Sequence, residues 1–266
     1  MTESDPRPRN PLLRVNNLTK RYKDENGEDQ VILENLNLEV DKSEFLCLIG
    51  KSGCGKTTLL RCIAGFEPYE GAVFINGQLE TKPNTHRVMV FQDFDQLLSW
   101  KTVEKNVQFA VMKKAKASGE GRPDKTELQR ISDEYLELVD LADRKKHYPH
   151  QLSGGMLQRA AIARSLAVKP SIILMDEPFA SLDAQTRANL QTELLRVKQK
   201  AEMTVMFVTH NIQEALTLGS RVILMGNEKG RFDIDIRPDL KQPVSPESEG
   251  FAHYWSLLNE GLRRKG

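Results

Sequence analysis

The feature that most constrains this 266-residue chain is a glycine-rich turn between an apolar run and a helix-like run. The apolar run at 45–49 is typical of a buried strand, and the residues after the turn have helical periodicity. Gly50, four intervening residues and then Gly55-Lys56-Thr57 match the phosphate-binding loop pattern, in the strand–turn–helix context that this pattern requires. An ordinary glycine turn would not need Gly, Lys and Thr at these spacings. The sequence therefore predicts a nucleoside triphosphate site.

The residue types of this loop suit phosphate binding. Its glycines let the backbone curl so that consecutive N–H groups point inward and form an anion-binding nest. The helix that follows adds its unpaired N–H groups and its positive end. We expect Lys56 to reach the β- and γ-phosphates and the Thr57 hydroxyl to ligate Mg²⁺. The predicted nucleotide-binding residues here are Gly50, Lys51, Ser52, Gly53, Cys54, Gly55, Lys56, Thr57 and Thr58.

Composition argues against several classes of protein. The net charge of +1 gives no overall field that would attract nucleic acid, so we expect no nucleic-acid partner. Cys47, Cys54 and Cys62 form no Cys-x-x-Cys pair, which is typical of reduced thiols in the cytoplasm. No run approaches the roughly 20 apolar residues of a membrane helix, and no signal peptide is visible. We therefore expect a soluble chain, whose membrane role would have to come through a partner.

The first third of the chain is rich in strand patterns. Residues 1–11 hold three prolines and mixed charges, which predicts a flexible tail. Predicted strands at 12–18 and 31–40 flank a charged turn. A further strand at 72–75 ends in an Asn-Gly turn, and another is predicted at 87–91.

Helical patterns dominate between residues 93 and 151. We predict helices at 102–112 and 125–142, separated by a polar surface connection at 113–124 that contains glycines and a proline. This stretch indicates a helical insertion in an α/β core.

Strand and helix patterns then alternate, which predicts a mainly parallel sheet. Beyond this alternation, an edge strand at 232–236 and an amphipathic helix at 251–262 are weaker predictions. The alternating segments are a helix at 156–168, a strand at 171–175, a helix at 186–201, a strand at 204–208, a helix at 212–218 and a strand at 221–225.

Two carboxylates follow the predicted strand at 171–175. Asp176 stands where a strand tip can hold Mg²⁺, and Glu177 could orient or deprotonate an attacking water. Taken alone, an Asp-Glu pair after a strand would more often be a solvated loop. The phosphate loop upstream favours the functional interpretation.

A second anion-binding shape precedes the helix at 156–168. Ser153-Gly154-Gly155 combines a hydroxyl, two glycines and a helix N-terminus. A chain with one phosphate loop has little use for a second cradle of its own, so this one could serve the nucleotide of another copy. The alternative, a simple N-cap with a glycine turn, is equally compatible with these residues.

Together these motifs resemble the ATP-binding subunit of an ATP-binding-cassette (ABC) transporter. The resemblance extends over about residues 12–225 and follows the family's motif order. Residues 50–57 match its Walker A motif, 152–155 its signature motif and 172–177 its Walker B motif with the catalytic glutamate. The remaining matches are Tyr22 with the aromatic that stacks on adenine, Gln92 with the Q-loop, Ser181-Leu182-Asp183 with the D-loop, and His210 with the switch histidine.

The resemblance implies a fold and a domain organisation. The fold class is α/β, a P-loop NTPase (RecA-like) core with a mainly parallel sheet, an N-terminal antiparallel β-subdomain and an inserted α-helical subdomain. One nucleotide-binding domain would span residues 12–266. It would include the helical subdomain at about 93–155 and a C-terminal extension at about 227–266.

The resemblance also implies how the site is assembled. Two copies would form a head-to-tail dimer with two ATP molecules at the interface, and Asp183 would communicate between the two sites. Glu177, His210 and Lys56 would be catalytic, and Thr57, Gln92 and Asp176 would hold Mg²⁺. Each site would combine Tyr22, the phosphate loop, Gln92, Asp176, Glu177 and His210 of one copy with Ser153, Gly154 and Gly155 of the other.

Two departures from the common pattern bear on the subfamily. Met156 follows the signature glycines where many members have Gln, which is similar to importers of nitrate, sulfonate, taurine and related compounds. Residues 91–103 also resemble that subfamily, although Ser99 stands where proline is common. The partners implied are integral membrane permease subunits and, indirectly, a solute-binding protein. A permease helix is expected at an exposed apolar surface formed by Phe94, Leu97, Leu98 and Trp100, although these side chains could instead pack inside the subdomain.

The leading hypothesis is thus an ATPase subunit at the cytoplasmic face of a membrane that powers import of a small solute. An exporter or another small-molecule importer is the alternative. A soluble cassette that remodels nucleic acid or ribosomes would usually carry two cassettes, coiled coils or zinc-type cysteine pairs, which this sequence lacks. A kinase or GTPase would leave Ser153-Gly154-Gly155 and His210 unexplained, and no Asn-Lys-x-Asp motif is present.

Overall fold

In the part of the chain that the structure describes, the strands form two sheets, one antiparallel and one mainly parallel. The computed structural model describes residues 11–91, 96–119, 121–180, 182–226, 228–241 and 244–263. Four predictions therefore fall outside the described residues: Gln92 as a ligand, Phe94 in the apolar docking surface, Ser181 in the D-loop and almost all of the tail at 1–11.

The elements alternate largely as the sequence patterns indicate. In chain order they are β1 Leu13–Lys23, β2 Asp29–Val40, β3 Phe45–Gly50, α1 Lys56–Ala64, β4 Glu70–Ile75, β5 Gln78–Leu79, β6 Arg87–Val90, α2 Val103–Ser118, α3 Lys125–Leu138, α4 Gly154–Ala167, β7 Ile172–Asp176, α5 Ala184–Ala201, β8 Thr204–Val208, α6 Ile212–Leu218, β9 Arg221–Met225, β10 Phe232–Ile236 and α7 Phe251–Arg263.

The antiparallel sheet has the strand order β2-β1-β4-β5. β1 and β2 form the predicted hairpin, with pairs running from Leu13 opposite Val40 to Lys23 opposite Asp29. β1 continues past the predicted end at residue 18, so the aromatic Tyr22 lies within the strand. The prediction of antiparallel strands in the N-terminal region is confirmed.

The second sheet has the order β10-β9-β3-β8-β7-β6. β9, β3, β8, β7 and β6 are parallel, and β10 adds an antiparallel edge to β9. All six residues of β3 are buried, as expected for a strand covered on both faces. Because the strands are parallel, their carboxyl ends meet at one edge, where α/β proteins bind ligands.

Alternate residues of the central strands enter two different cores. In β3, Cys47 and Ile49 belong to the core beneath the helices α2 to α7, whereas Leu46 and Leu48 belong to the core shared with α1 and the antiparallel sheet. The period of two in side-chain direction explains this division. The central sheet is therefore the layer that both cores share.

Two helix boundaries differ from the prediction. α2 continues through Lys113 to Ser118, into the stretch predicted as a surface connection, because Lys and Ala extend a helix at little cost. It ends at Gly119, whose φ of 71° makes the left-handed C-cap. α3 ends at Leu138 rather than near 142, since Asp140 has a left-handed φ of 52°. The proposed boundaries of the helical subdomain stay a prediction.

The weaker C-terminal predictions agree with the structure. β10 pairs with β9, and α7 covers residues 251–263. Gly261 lies against β9 and β10, where a Cβ would meet Leu224 and come within 2.7 Å of Ile234 Cδ1. This close approach holds α7 on the edge of the parallel sheet.

The close approach of two backbones at Gly71 yields a stability prediction. Its φ is +97°, and a Cβ would lie 2.5 Å from the Asn16 carbonyl oxygen. We expect Gly71→Ala to lower the free energy of unfolding by about 2–3 kcal/mol, from strain plus the clash. Gly77 is the matched control, with φ +74° and nothing within 4 Å of its Cβ position, so Gly77→Ala should cost only about 1 kcal/mol. Urea unfolding measures both, and equal losses would contradict the prediction.

Candidate active site

The phosphate loop joins β3 to α1 and requires glycine at three positions. Gly53 and Gly55 have left-handed φ values of 82° and 103°. At Gly50, a Cβ would lie 2.7 Å from the Met225 carbonyl oxygen and 2.8 Å from Cys54 Sγ. Gly55 is also the N-cap of α1 and has no side chain to accept from the first helical amides. Those N–H groups are therefore available to an anionic ligand.

The loop holds the ammonium group of Lys56 at its centre. Lys56 is buried, and its Nζ donates to the carbonyl oxygens of Gly50 at 2.8 Å and Lys51 at 2.9 Å. The Sγ of Cys54 lies 3.8 Å from the same Nζ. The loop backbone thus fixes a positive charge at the point where the sequence predicts phosphates.

Thr57 and Asp176 come together from distant parts of the chain. The Thr57 hydroxyl donates to Asp176 Oδ1 at 3.0 Å. Burial raises the pKa of Asp176, while the hydrogen bond from Thr57 opposes this shift. Two oxygen atoms of the kind that Mg²⁺ prefers are therefore adjacent.

Glu177 turns away from Asp176 because its backbone is left-handed, with φ 45°. Its N–H donates to the Val208 carbonyl oxygen at 3.0 Å, which ties β7 to β8 beyond their last pair. Glu177 Oε2 lies 3.0 Å from Nδ1 of His210. The His210 side chain is 63% exposed and that of Glu177 is 26% exposed, so the pair lies at the open side of the site.

The signature turn at Ser153-Gly154-Gly155 has its contacts with α4 and α5. Ser153 caps α4, accepting from the Met156 N–H at 3.4 Å. Gly155 is buried, and a Cβ there would lie 2.9 Å from Thr186 Cγ2 of α5. Glycine at 155 therefore lets α4 approach α5 closely.

Two further predicted residues have defined surroundings. The ring of Tyr22 is partly exposed on β1, and the Lys20 ammonium lies 4.4 Å from its centroid, a cation–π contact. Asp183 caps α5 and accepts from the Thr186 N–H at 3.0 Å. Hydrogen bonds from Thr186 hold the pKa of Asp183 below its usual value.

The predicted apolar docking surface is only partly exposed. Leu97 is buried in the core, so its assignment to that surface was wrong, and Phe94 lies outside the described residues. Leu98 is half-buried and Trp100 is 71% exposed. Asn106 is fully buried and fixes this loop, accepting from the Leu98 N–H at 2.8 Å and donating to the Lys101 carbonyl at 3.2 Å.

Sequence reasoning missed a buried polar group beside His210. The Thr209 hydroxyl donates to Glu214 Oε2, and Gln191 Nε2 donates to Glu214 Oε1 at 2.9 Å. Burial raises the pKa of Glu214. The sequence contained one signal for it: Glu214 is an acidic residue among the apolar positions of the short segment 212–218. Amphipathic periodicity would place this residue on the buried face of a helix.

Comparison with known proteins identifies the family. Residues 33–180 match the family described as ABC transporter. The chain belongs to this family. An uncharacterised ABC transporter ATP-binding protein of Methanocaldococcus jannaschii is 47% identical over 91% of this chain and 88% of its own length.

Two relatives from bacteria have named transport functions. A nitrate import ATP-binding protein of Synechococcus elongatus is 45% identical over 74% of this chain and 70% of its own length. An aliphatic sulfonates import ATP-binding protein of Bacillus cereus is 40% identical over 89% of this chain and 90% of its own length.

Solved structures support the same assignment. A dimeric bacterial ABC transporter cassette has a TM-score of 0.73 and 31% identity, covering 85% of this chain and 98% of its own. A second structure of that cassette, with the same values, is a post-hydrolysis dimer bound to ADP and Pi. The predicted P-loop NTPase fold and the predicted ATPase activity of an ABC ATP-binding subunit are confirmed. In the described part of the chain, no helix is long and apolar enough to cross a membrane.

The partly buried carboxylate of Asp176 leads to a prediction about stability. Its pKa is raised in the folded state, so the wild type loses stability as the pH rises from the unfolded-state pKa through the raised folded-state pKa. Asp176→Asn removes this charge. We expect it to raise the melting temperature of the nucleotide-free protein, most at pH 8 and progressively less as the pH falls through the raised pKa.

Asp183→Asn is the control, because the pKa of Asp183 is lowered rather than raised. This variant should gain no stability at any pH. Thermal unfolding from pH 5 to 8 measures both variants. A melting temperature of Asp176→Asn equal to that of the wild type at pH 8 would contradict the prediction.

Proposed function

We propose that this chain is the ATP-hydrolysing subunit of an importer of a small anionic solute, at the cytoplasmic face of a membrane. The observation that carries the proposal is the meeting of Lys56, the Thr57–Asp176 pair and the Glu177–His210 pair at one edge of the sheet. A phosphate cradle, two oxygen ligands and a carboxylate–imidazole pair are the parts that phosphoryl transfer to water requires.

The phosphate loop binds the β- and γ-phosphates of ATP through its backbone N–H groups and Lys56. Tyr22 stacks on adenine. Thr57 and Asp176 would hold Mg²⁺, since their adjacent oxygens, 3.0 Å apart, fit a cation that prefers oxygen ligands and keeps several waters. Bound there, Mg²⁺ would neutralise phosphate charge that develops during transfer.

Glu177 is the base for hydrolysis. It accepts a proton from the water whose oxygen attacks the γ-phosphorus, while the bond from that phosphorus to the bridging oxygen breaks. ADP keeps the bridging oxygen and inorganic phosphate leaves. His210, 3.0 Å from Glu177 Oε2, fixes the carboxylate and contacts the γ-phosphate, so positioning provides most of the catalysis.

A second copy completes the site in this proposal. Ser153, Gly154 and Gly155 present a hydroxyl and the N-terminus of α4, a group suited to the γ-phosphate of a nucleotide in the partner copy. Two copies arranged head to tail would enclose two ATP molecules. The dimeric cassette with 31% identity supports this arrangement.

The first test replaces the proposed base. Glu177→Gln keeps the size of the side chain but cannot accept a proton, so ATP affinity should stay within about twofold while turnover falls at least about 100-fold. Because ATP is then bound but not hydrolysed, a dimer should accumulate in Mg·ATP. Nucleotide binding, phosphate release and sedimentation measure the three quantities.

Glu193→Gln, a variant of an α5 glutamate that pairs with Arg196, is the control and should retain wild-type turnover. Substantial hydrolysis by Glu177→Gln would reject Glu177 as the base. A strictly monomeric Glu177→Gln protein in Mg·ATP, even with its membrane partner, would reject the shared site.

In this proposal, the permease and a solute-binding protein recognise the transported solute. The nitrate and sulfonate importer relatives support a small oxyanion as cargo. The permease contacts the loop at residues 98–102, where Trp100 is exposed on a turn that the buried Asn106 holds in place.

The docking surface provides the second test. Trp100→Ala removes apolar contact area, and Leu98→Glu places a charge in the apolar contact. Each should therefore weaken co-purification of the permease at least about tenfold. Nucleotide affinity should be unchanged. Trp255→Ala, at an exposed tryptophan on α7, is the matched control. Undiminished permease recovery with both loop variants would count against this surface.

A further inference from the structure

Glu214 is a buried carboxylate that the proposed hydrolysis does not use. It lies on α6 with 6% of its surface exposed. Both of its oxygens accept hydrogen bonds, Oε1 from Gln191 at 2.9 Å and Oε2 from the Thr209 hydroxyl. Burying a charged group is costly unless it is fully paired, so a carboxylate at this buried position indicates a specific role.

The partner Thr209 lies directly before His210. The Thr209 N–H donates to the Leu48 carbonyl oxygen of β3 at 3.2 Å. Its hydroxyl oxygen accepts from the Asn211 N–H at 3.1 Å while donating to Glu214. The backbone on both sides of His210 is therefore tied to β3 and, through Glu214, to α6.

Glu214 is itself fixed by α5. Gln191 reaches it from the middle of that helix, and the positive charge of Arg187 acts on its carboxylate. Arg187 also donates to the Leu182 carbonyl oxygen at 2.9 Å, next to Asp183, which caps α5. The carboxylate thus connects the start of α5 with the residues around His210.

We propose that Glu214 is the positioning residue for His210. By holding the Thr209 hydroxyl it fixes the backbone from which the imidazole extends, and so sets the 3.0 Å contact with Glu177. The His210 ring is mostly exposed, so the packing around it constrains it little and its place depends on that backbone. This inference rests on the proposed roles of Glu177 and His210.

The test compares variants that keep or remove the Thr209–Glu214 hydrogen bond. Thr209→Val and Glu214→Leu remove it, whereas Thr209→Ser keeps the hydroxyl. We expect kcat to fall at least about tenfold in the first two, since small displacements of catalytic groups have effects of this order. ATP affinity should stay within twofold, and Thr209→Ser should retain most of the wild-type kcat.

The second readout reports on His210 directly. In protein labelled at histidine ¹³Cε1, the His210 signal is identified by its loss in His210→Ala. We expect it to shift in Thr209→Val and Glu214→Leu but not in Thr209→Ser. Glu44→Gln is the matched control, because Glu44 is equally buried but lies beside the start of β3 and pairs with Arg237 at 2.7 Å. It should change neither kcat nor the His210 signal.

Each of the following outcomes would overturn the proposal. An unmoved His210 signal with reduced kcat would make Glu214 a purely structural residue, and a shifted signal with wild-type kcat would separate the position of His210 from hydrolysis. Equal effects in Glu44→Gln would show a general consequence of losing a buried carboxylate. If Glu214→Leu does not fold, the pair Thr209→Val and Thr209→Ser decides the matter.

Failure of the proposed function is distinguishable from failure of this inference. Wild-type turnover in His210→Ala would reject the catalytic role of His210, and the inference would fall with it. Loss of turnover in His210→Ala, with wild-type behaviour of Thr209→Val and Glu214→Leu, would reject the inference alone.

Discussion

The parallel pairing of β3, β7 and β8 is the constraint on which the site depends. β3 pairs with β8, and β8 pairs with β7, so the ends of all three strands reach the same edge of the sheet. Each strand delivers one part of the chemistry: the phosphate loop after β3, Asp176 and Glu177 at and after β7, and His210 after β8. The two buried cores fix the register that brings these parts together.

Three charged groups that are buried or partly buried in the described structure have specific hydrogen-bond partners. Lys56 donates to two loop carbonyls, Asp176 accepts from Thr57, and Glu214 accepts from Thr209 and Gln191. Burial still raises the pKa values of Asp176 and Glu214. A carboxylate loses hydration when it is buried, which accounts for both shifts, and a cation bound at Asp176 would oppose the shift there.

Sequence patterns predicted element types well where periodicity was strong, as for β8, α6 and β9, whose observed bounds equal the predicted ones. Predictions were weaker where several conformations cost nearly the same. Lysine and alanine extend α2 past residue 112 at little cost, but that low cost does not by itself exclude a surface connection there. A left-handed Asp140 ends α3 early, which the helical pattern did not indicate. The burial of Leu97 depends on contacts with distant residues, which a local pattern does not contain.

The nucleoside triphosphate site could be predicted from sequence alone, because the glycine, lysine and threonine spacing acts locally, through backbone conformation and one helix end. The mainly parallel sheet could also be predicted, because strand and helix patterns alternate along the chain. The contact of Glu177 with His210 and that of Glu214 with Thr209 emerge only from the folded chain. These contacts join residues on different elements, and their geometry is set by strand pairing and helix packing rather than by neighbouring residues in the chain.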